Sequence, residues 1–174
     1  MLRFETPRAV MRPLAAHDES LYCDLYTDAE TMRYICAPLT LKRAARTFRD
    51  AIVSPPPPLG PVLFAMEERS ARRTIGVCGL VQFDQTMSCA ELGMILLPLE
   101  RARGYATEIL KALVGAAFAS FPITRVWVQY AGAHVAAERL VVAVGFRRDE
   151  ASEAKEQRGN RVWAIERSAW TSSK

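Results

Sequence analysis

The segment whose residues point most clearly to chemistry covers residues 91–107, where an apolar strand pattern leads through a short basic loop into a long amphipathic helix. A helix N-terminus leaves backbone N–H groups unpaired and carries partial positive charge. Gly104 and Ala106 are small enough to expose these amides to a bulky anion, and Arg101 and Arg103 add formal charge. The pattern predicts a cradle for a pyrophosphate group.

A plain strand-to-helix turn is the alternative interpretation of this loop, with Gly104 only allowing an unusual backbone angle. The loop lacks the three glycines of the dinucleotide fingerprint G-x-G-x-x-G. It also lacks the Gly-Lys-Ser or Gly-Lys-Thr that ends a nucleotide P-loop. The phosphate-bearing cofactor expected here is therefore of a different kind.

The elements that must position this loop follow from the spacing of apolar residues. We expect strands over residues 8–14, 62–67, 73–83, 88–97, 124–130, 146–149 and 161–167. We expect helices over residues 18–27 (capped by Asp18), 28–34, 104–120 and 134–144, and another that begins after a Thr40 cap. Residues 62–97 are typical of an antiparallel meander, and the four prolines at 55–58 of a stiff extended connector. This order predicts a mixed α/β domain around one central sheet.

Composition sets the broad class. The chain has 174 residues, of which 50% are hydrophobic and 24% charged, and its mean hydropathy is near zero, as in soluble globular proteins. The length predicts a single domain over residues 1–174. The N-terminal residues show no signal peptide, and the apolar stretches are strand-sized, so we expect a cytoplasmic protein without membrane association.

Charged residues, cysteines and histidines argue against two other kinds of site. The net charge of +4 is mild and scattered and has no aromatic-basic platform, so we do not expect nucleic acid as a partner. Four cysteines without C-x-x-C spacing and only two histidines predict no metal site. Cys78 and Cys89 stand in apolar strand patterns and are expected to be buried and reduced.

A resemblance to a known family makes the expected cofactor specific. Residues 101–106, Arg-Ala-Arg-Gly-Tyr-Ala, resemble the acyl-CoA signature Q/R-x-x-G-x-G/A of the GNAT superfamily of N-acetyltransferases. The surrounding sequence resembles the branch that contains the ribosomal-protein N-terminal (alanine/serine) acetyltransferases. Further landmarks are Arg-Pro-Leu at 12–14, Ala-Glu-Leu-Gly at 90–93, Gly-Phe at 145–146 and residues 161–170. The resemblance therefore spans nearly the whole chain.

The resemblance implies a fold and a cofactor site. The fold is α/β (mixed α+β), with a central, mostly antiparallel sheet that is splayed in the middle and flanked by helices. Acetyl-CoA is the implied co-substrate, and no metal is needed. Backbone groups of the strand before the loop would contact the pantetheine arm, and amides at 103–107 would take the pyrophosphate. The implied cofactor-binding residues are Met94, Ile95, Leu96, Arg101, Ala102, Arg103, Gly104, Tyr105, Ala106 and Thr107.

The implied reaction is direct attack of a neutral amine on the thioester, with backbone N–H groups near Leu96 stabilising the oxyanion. Glu91 is the candidate general base, acting directly or through water. The alternative interpretation is a structural carboxylate paired with Arg73 or Arg125.

The helix after the last long strand departs from the family pattern. Counting back from Gly145, His134 and Ala137 stand where the branch usually has asparagine and serine. His134 is a candidate catalytic residue that would hydrogen-bond the cofactor or protonate the departing thiolate; otherwise it caps the helix or is exposed. Val141 replaces the tyrosine acid of many members, and neither Tyr105 nor Tyr130 substitutes for it cleanly, so the acid stays unassigned.

The acceptor is expected to be an amine, either a protein N-terminus, which the branch resemblance favours, or a small molecule. Its site would be built from residues 32–34, the helix after Thr40 and the 150–158 loop. Glu150, Glu153 and Glu156 of that loop are expected to be solvated, and attraction of a cationic acceptor is the alternative interpretation. A catalytically degenerate acyl-CoA-binding module that acts as a sensor or scaffold is the alternative function, supported only by His134 and Ala137. Exposed sheet edges leave both monomer and homodimer open.

Overall fold

The computed structural model describes residues 2–53, 59–84, 88–155 and 159–170. Its strands are β1 Phe4–Glu5, β2 Ala9–Pro13, β3 Val62–Glu68, β4 Arg73–Asp84, β5 Cys89–Leu96, β6 Arg125–Ala131, β7 Arg147–Arg148 and β8 Asn160–Glu166. Its α-helices are α1 Glu19–Thr27, α2 Ala29–Met32, α3 Leu41–Ile52, α4 Tyr105–Ser120, α5 Val135–Val144 and α6 Glu150–Glu153. Short 3-10 turns lie at Ala16–Asp18, Pro98–Glu100 and Arg167–Ala169.

The strands of the described part of the chain form one sheet in the order β1-β2-β3-β4-β5-β6-β8-β7. Neighbouring strands are antiparallel except β5 and β6, which run parallel. These two pair only where residues 89–91 face residues 125–127, and they diverge beyond Glu91. The predicted fold class, including the splay in the middle of the sheet, is therefore confirmed.

Helices cover both faces of the sheet because strand side chains alternate between them. One core contains α4 and α5 residues packed on the sheet, with Leu92 of β5 at its centre and Ile109 and Leu113 of α4 fully buried. The other contains α1 and α3 residues, with Phe48 packed near Val77 and Ile95. Successive residues of β5 thus face opposite helical layers.

The cap predicted at Asp18 is wrong, whereas the cap predicted at Thr40 forms. Asp18 is buried and makes no capping bond to α1. Instead its carboxylate accepts two hydrogen bonds from Arg12 at 2.8 and 2.9 Å, because a buried charge requires an ion pair. The Thr40 hydroxyl accepts a hydrogen bond from the Arg43 amide at 3.3 Å, as predicted.

The sequence-based expectation missed β1 and α6, two elements of two and four residues. The prolines at 55–58 lie outside the described residues. Cys78 and Cys89 are buried and free, as predicted. In the part of the chain that the structure describes, no helix is long and apolar enough to cross a membrane.

Candidate active site

The loop between β5 and α4 contains two residues in the left-handed backbone region. Ala102 has a φ of 58° and Gly104 a φ of 83°. Gly104 is the N-cap of the 16-residue helix α4, and no side-chain bond caps its first amides. Left-handed loop residues arrange successive N–H groups into an anion-binding concavity, and the helix dipole adds to it. The loop therefore has a backbone geometry that can bind an anion, with Tyr105, Ala106 and Thr107 forming the first turn of the helix.

Arg8, which immediately precedes β2, holds this loop from the sheet side. Its Nη1 donates a hydrogen bond to the carbonyl oxygen of Arg103 at 2.9 Å. Its Nε and its backbone N–H donate to the Glu108 carboxylate at 2.7 and 3.1 Å. A Cβ on Gly104 would lie 3.2 Å from Arg8 Nη2, so only a glycine leaves the full room for this contact.

A second network fixes the other side of the loop through two carboxylates. The nearly buried Glu100 accepts hydrogen bonds from Arg73 at 2.5 Å and from Arg103 at 2.6 Å. Arg73, above all, lowers the pKa of Glu100. The Tyr105 hydroxyl donates to Glu68 at 2.7 Å, so this side chain points into the protein and not toward the cradle.

The two arginines of the signature have different surroundings. Arg101 Nη2 donates to Thr31 Oγ1 at 2.9 Å and Arg101 Nε to the Leu96 carbonyl oxygen at 3.3 Å, which ties the loop to α2 and to the end of β5. Arg103 is half exposed beside Glu100. Both arginines are exposed residues, but Arg101 is held by Thr31 and the Leu96 carbonyl, and Arg103 by Glu100.

A cavity of about 290 Å³ lies where β5 and β6 diverge. It crosses the sheet, because its walls include residues from both helical layers. Its lining on β5 includes Glu91, Gly93, Met94 and Ile95. Leu96, the third residue expected to contact the pantetheine arm, lies in the α4 core at the end of the strand. Met94 and Ile95 therefore line the cavity, and their contact with a pantetheine arm stays a prediction.

Glu91 lies on this cavity at the point where β5 and β6 stop pairing. Gln129 Nε2 donates to Glu91 Oε1 at 3.1 Å, and Asn160 Nδ2 donates to Gln129 Oε1 at 3.2 Å. The two arginines considered as structural partners have other carboxylates. Arg73 pairs with Glu68 and Glu100, and Arg125 with Asp149 and Glu166. Glu91 therefore lies on the cavity with Gln129 as a hydrogen-bond partner, and its role as general base stays a prediction.

His134 lies on the same cavity, immediately before α5. Its side chain makes no capping bond to α5, so the capping interpretation is wrong. The ring instead stacks on Tyr34, with centroids 4.6 Å apart, and meets the Tyr130 ring edge-on at 6.3 Å. Burial, followed by the nearby charge of Arg101, lowers the pKa of His134. The imidazole is therefore neutral at pH 7 and can donate one hydrogen bond and accept another.

Ala137 and Val141 also line the cavity, so together with His134 all three departures from the family pattern lie at it. Tyr130 of β6 is buried against the same cavity, and burial raises its pKa to about 12. In the sequence, Tyr130 only ends a strand pattern, so nothing there indicated that its side chain lines the cavity. The other lining residues that sequence reasoning missed are Tyr26, Ile35, Val81, Gln129 and Asn160.

A second cavity, of about 370 Å³, lies on the sheet beyond Gln129, which lines both cavities. Ser152 and Lys155 of the expected acceptor loop line it. Glu153 is held by Arg148 at 2.8 Å and Arg161 at 3.3 Å, and Arg148 chiefly lowers its pKa to about 2. The expectation of solvated glutamates is thus confirmed for Glu150, which is 79% exposed, and wrong for Glu153, which α6 and its Asp149 cap hold beside these arginines. Glu156 lies outside the described residues.

Of the other segments expected to form the acceptor site, one reaches the first cavity. Tyr34 lines it, whereas Met32 is buried in the α1 and α3 core. No residue of α3 lies among the described residues that line either cavity. Within residues 2–53, 59–84, 88–155 and 159–170, no three His, Cys, Asp or Glu side chains come together as a metal site requires.

Comparison with known proteins gives a family. Residues 8–147 match the model of the acetyltransferase (GNAT) domain. The fold is similar to that of an acetyltransferase from Agrobacterium tumefaciens, with a TM-score of 0.82 and 19% identity over 96% of this chain and 95% of that chain. It is also similar to a GNAT-family acetyltransferase from Bacillus anthracis, with a TM-score of 0.79 and 16% identity over 95% of this chain and 98% of that chain.

A third similar structure is spermidine N-acetyltransferase from Vibrio cholerae in complex with CoA and spermine. Its TM-score is 0.77, with 17% identity over 92% of this chain and 96% of that chain. At these identities the solved structures show the fold alone. No curated protein sequence matches the chain.

Proposed function

The chain belongs to the GNAT acetyltransferase family, and we propose that it transfers an acetyl group from acetyl-CoA to the nitrogen of a primary amine. The observation that carries this proposal is the cavity at the splay. It brings the diverging edge of β5, Glu91 and His134 together. The Vibrio cholerae relative in complex with CoA and spermine supports both the donor and the amine acceptor.

The loop before α4 fits the phosphate groups of the donor. Its uncapped helix start and left-handed Ala102 and Gly104 present amides to an anion, and Arg103 supplies charge at the exposed side. Arg8 and Glu100 hold the backbone and side chain of Arg103 in place. Because the backbone and the side chain of Arg103 are already held before an anion binds, binding requires little further ordering of the loop.

The unpaired edge of β5 fits the amides of a pantetheine arm. β6 pairs with β5 only as far as Glu91 within the described residues, so the backbone of Met94 and Ile95 faces the gap on that side. Peptide groups at such an edge require hydrogen-bond partners, which an extended amide chain supplies. The thioester end would then lie in the cavity beside Glu91.

The residues of the chain divide the reaction between them. The donor supplies an acetyl thioester that is open to attack. The amine nitrogen forms the new C–N bond, the C–S bond breaks, and the amine loses one proton. Glu91 takes that proton directly or through a water molecule, and N–H groups of β5 stabilise the oxyanion. Neutral His134 hydrogen-bonds the thioester end, and the sulfur takes its proton from solvent or from a bound water.

Titration calorimetry with acetyl-CoA tests the donor, and thiol release on adding amines tests the transfer. We expect wild-type binding and an affinity about tenfold weaker in Arg103→Ala, since one charge-assisted hydrogen bond to phosphate is lost. The matched control is Arg46→Ala on α3, an arginine that is 82% exposed. Absence of wild-type binding would overturn the proposal. Binding without thiol release from any amine would favour the catalytically degenerate module instead.

A further inference from the structure

The cavity opens on the α1 and α3 face of the sheet through an apolar mouth, which we define as Tyr26, Tyr34, Ile35, Leu63 and Val81. Tyr26 and Leu63 pack against the α1 and α3 core. The donor arm is expected along β5 from the α4 side, as the proposed function requires. The amine must then enter through the apolar mouth, and the chemistry of these five residues selects it.

The aromatic residues of the apolar mouth are held in place before any ligand arrives. Tyr34 stacks on His134, and the Arg33 guanidinium carbon lies 5.1 Å from the centre of the Tyr34 ring. Tyr26 stacks on Tyr22 with ring centroids 4.2 Å apart. Fixed rings form a preorganised wall, so an apolar group that docks there does not have to order them.

Two aliphatic residues of the apolar mouth are unusually exposed. Ile35 has 48% and Val81 39% of its surface open to solvent. Val81 lies over Gly93 of β5, because a Cβ on Gly93 would stand 3.0 Å from Val81 Cγ1. Covering such apolar surface with an apolar ligand is favourable, whereas covering it with an ammonium group is not.

The charges around the apolar mouth disfavour a ligand with several positive groups. Glu91 is the one carboxylate among the described residues that line the cavity. Arg33 is exposed beside Tyr34, and the charge of Arg101 acts on His134. A polyamine would bring several ammonium groups to a wall with a single carboxylate, and each buried unpaired charge costs several kcal/mol.

The volume of the cavity limits the size of the acceptor. The same space of about 290 Å³ must also hold the thioester end of the donor. The remaining room suits one ring or one branched aliphatic group. We propose that the acceptor is a small monoamine whose amino group is carried on an aromatic or branched aliphatic group of that size, an inference that rests on the proposed function.

Steady-state kinetics of thiol release by the full chain tests this proposal. The acceptors are phenethylamine, spermine and a short peptide that begins with serine. We expect kcat/KM for phenethylamine to exceed both others by at least roughly tenfold, the size of discrimination that one apolar pocket supplies. Ile35→Asp should lower kcat/KM for phenethylamine about tenfold, raise it for spermine, and leave the affinity for acetyl-CoA unchanged.

The matched control is Leu41→Asp at the start of α3, a residue that is 66% exposed and does not line the cavity. Leu41→Asp should leave kcat/KM unchanged for both phenethylamine and spermine. Preference for spermine or for the peptide, or equal effects of Ile35→Asp on both amines, would overturn the acceptor class while leaving acetyl transfer intact. Acetyl-CoA binding with no thiol release from any of the three acceptors would overturn both the acceptor class and the proposed function.

Discussion

Arg8 and Arg103 are 95 positions apart in the chain, yet the guanidinium of the first donates a 2.9 Å hydrogen bond to the main-chain carbonyl of the second. The same guanidinium pairs with Glu108 in the first turns of α4. One side chain at the start of β2 thus fixes both the loop backbone and the helix that follows it. The backbone geometry of the loop before α4 therefore depends on a residue next to β2, a distant strand of the sheet.

Arg8→Ala should loosen the loop. We expect the free energy of unfolding to fall by about 1 kcal/mol, because the pair with Glu108 is half exposed and its energy is reduced by solvent. Affinity for acetyl-CoA should fall about fivefold, since the loop must then be ordered on binding. Arg69→Ala is the matched control. Arg69 has similar exposure, and its ion pair is with Glu5 at a distance of 3.3 Å and not with a residue of the loop. Equal affinity losses in both variants would contradict a positioning role for Arg8.

Gly104→Ala and Ala102→Gly should change the free energy of unfolding by different amounts. Gly104→Ala places a Cβ on a backbone with φ of 83° and should cost about 1–2 kcal/mol of stability. Ala102→Gly removes the strain of a left-handed alanine but frees the unfolded chain, so its effect should be near zero. Urea denaturation measures both. A loss of stability in Gly104→Ala no larger than that in Ala102→Gly would contradict a requirement for glycine at the left-handed position 104.

The elements with long periodic patterns could be predicted from sequence. The apolar stripe of α4 and the apolar, β-branched runs of β3, β4 and β5 are local signals, and each of these elements formed where they indicate. The prediction that Asp18 caps a helix was wrong because it used a local signal alone. The buried ion pair of Asp18 with Arg12 depends on the packed structure. β1 has two residues and α6 four, too few for a period to appear.

The site could be predicted only as separate parts. The signature motif predicted the loop, and a family landmark predicted Glu91, because a motif and a landmark each consist of adjacent residues in the sequence. The apolar mouth could not be found in this way, since Tyr26, Tyr34 and Val81 come from separate segments that meet only in the folded sheet. The contact between Gln129 and Glu91 likewise requires the parallel pairing of β5 with β6.

Glu91→Gln should separate catalysis from donor binding. The substitution keeps the size of the side chain but removes its proton acceptor, so kcat should fall about 100-fold or more. Affinity for acetyl-CoA should stay within about twofold, because the expected cradle lies at the other end of β5. Calorimetry and thiol-release kinetics measure the two quantities. Glu138→Gln, at an exposed position of α5, is the control and should change neither. An unchanged kcat in Glu91→Gln would assign that carboxylate a structural role beside Gln129.

His134 should make stability depend on pH in the mildly acidic range. Burial, with a smaller effect from Arg101, lowers the pKa of His134 below its ordinary value of 6.5, so at mildly acidic pH the unfolded chain binds a proton that the folded chain excludes. The stability from the neutral ring is complete above that ordinary value and is lost as the pH falls through the lower, folded-state pKa. We therefore expect wild-type stability to fall from about pH 7.5 to about pH 5.5 more steeply than that of His134→Gln. Parallel slopes for wild type and His134→Gln in urea denaturation at the two pH values would show that the stacked ring takes up its proton as readily in the folded chain as in the unfolded one.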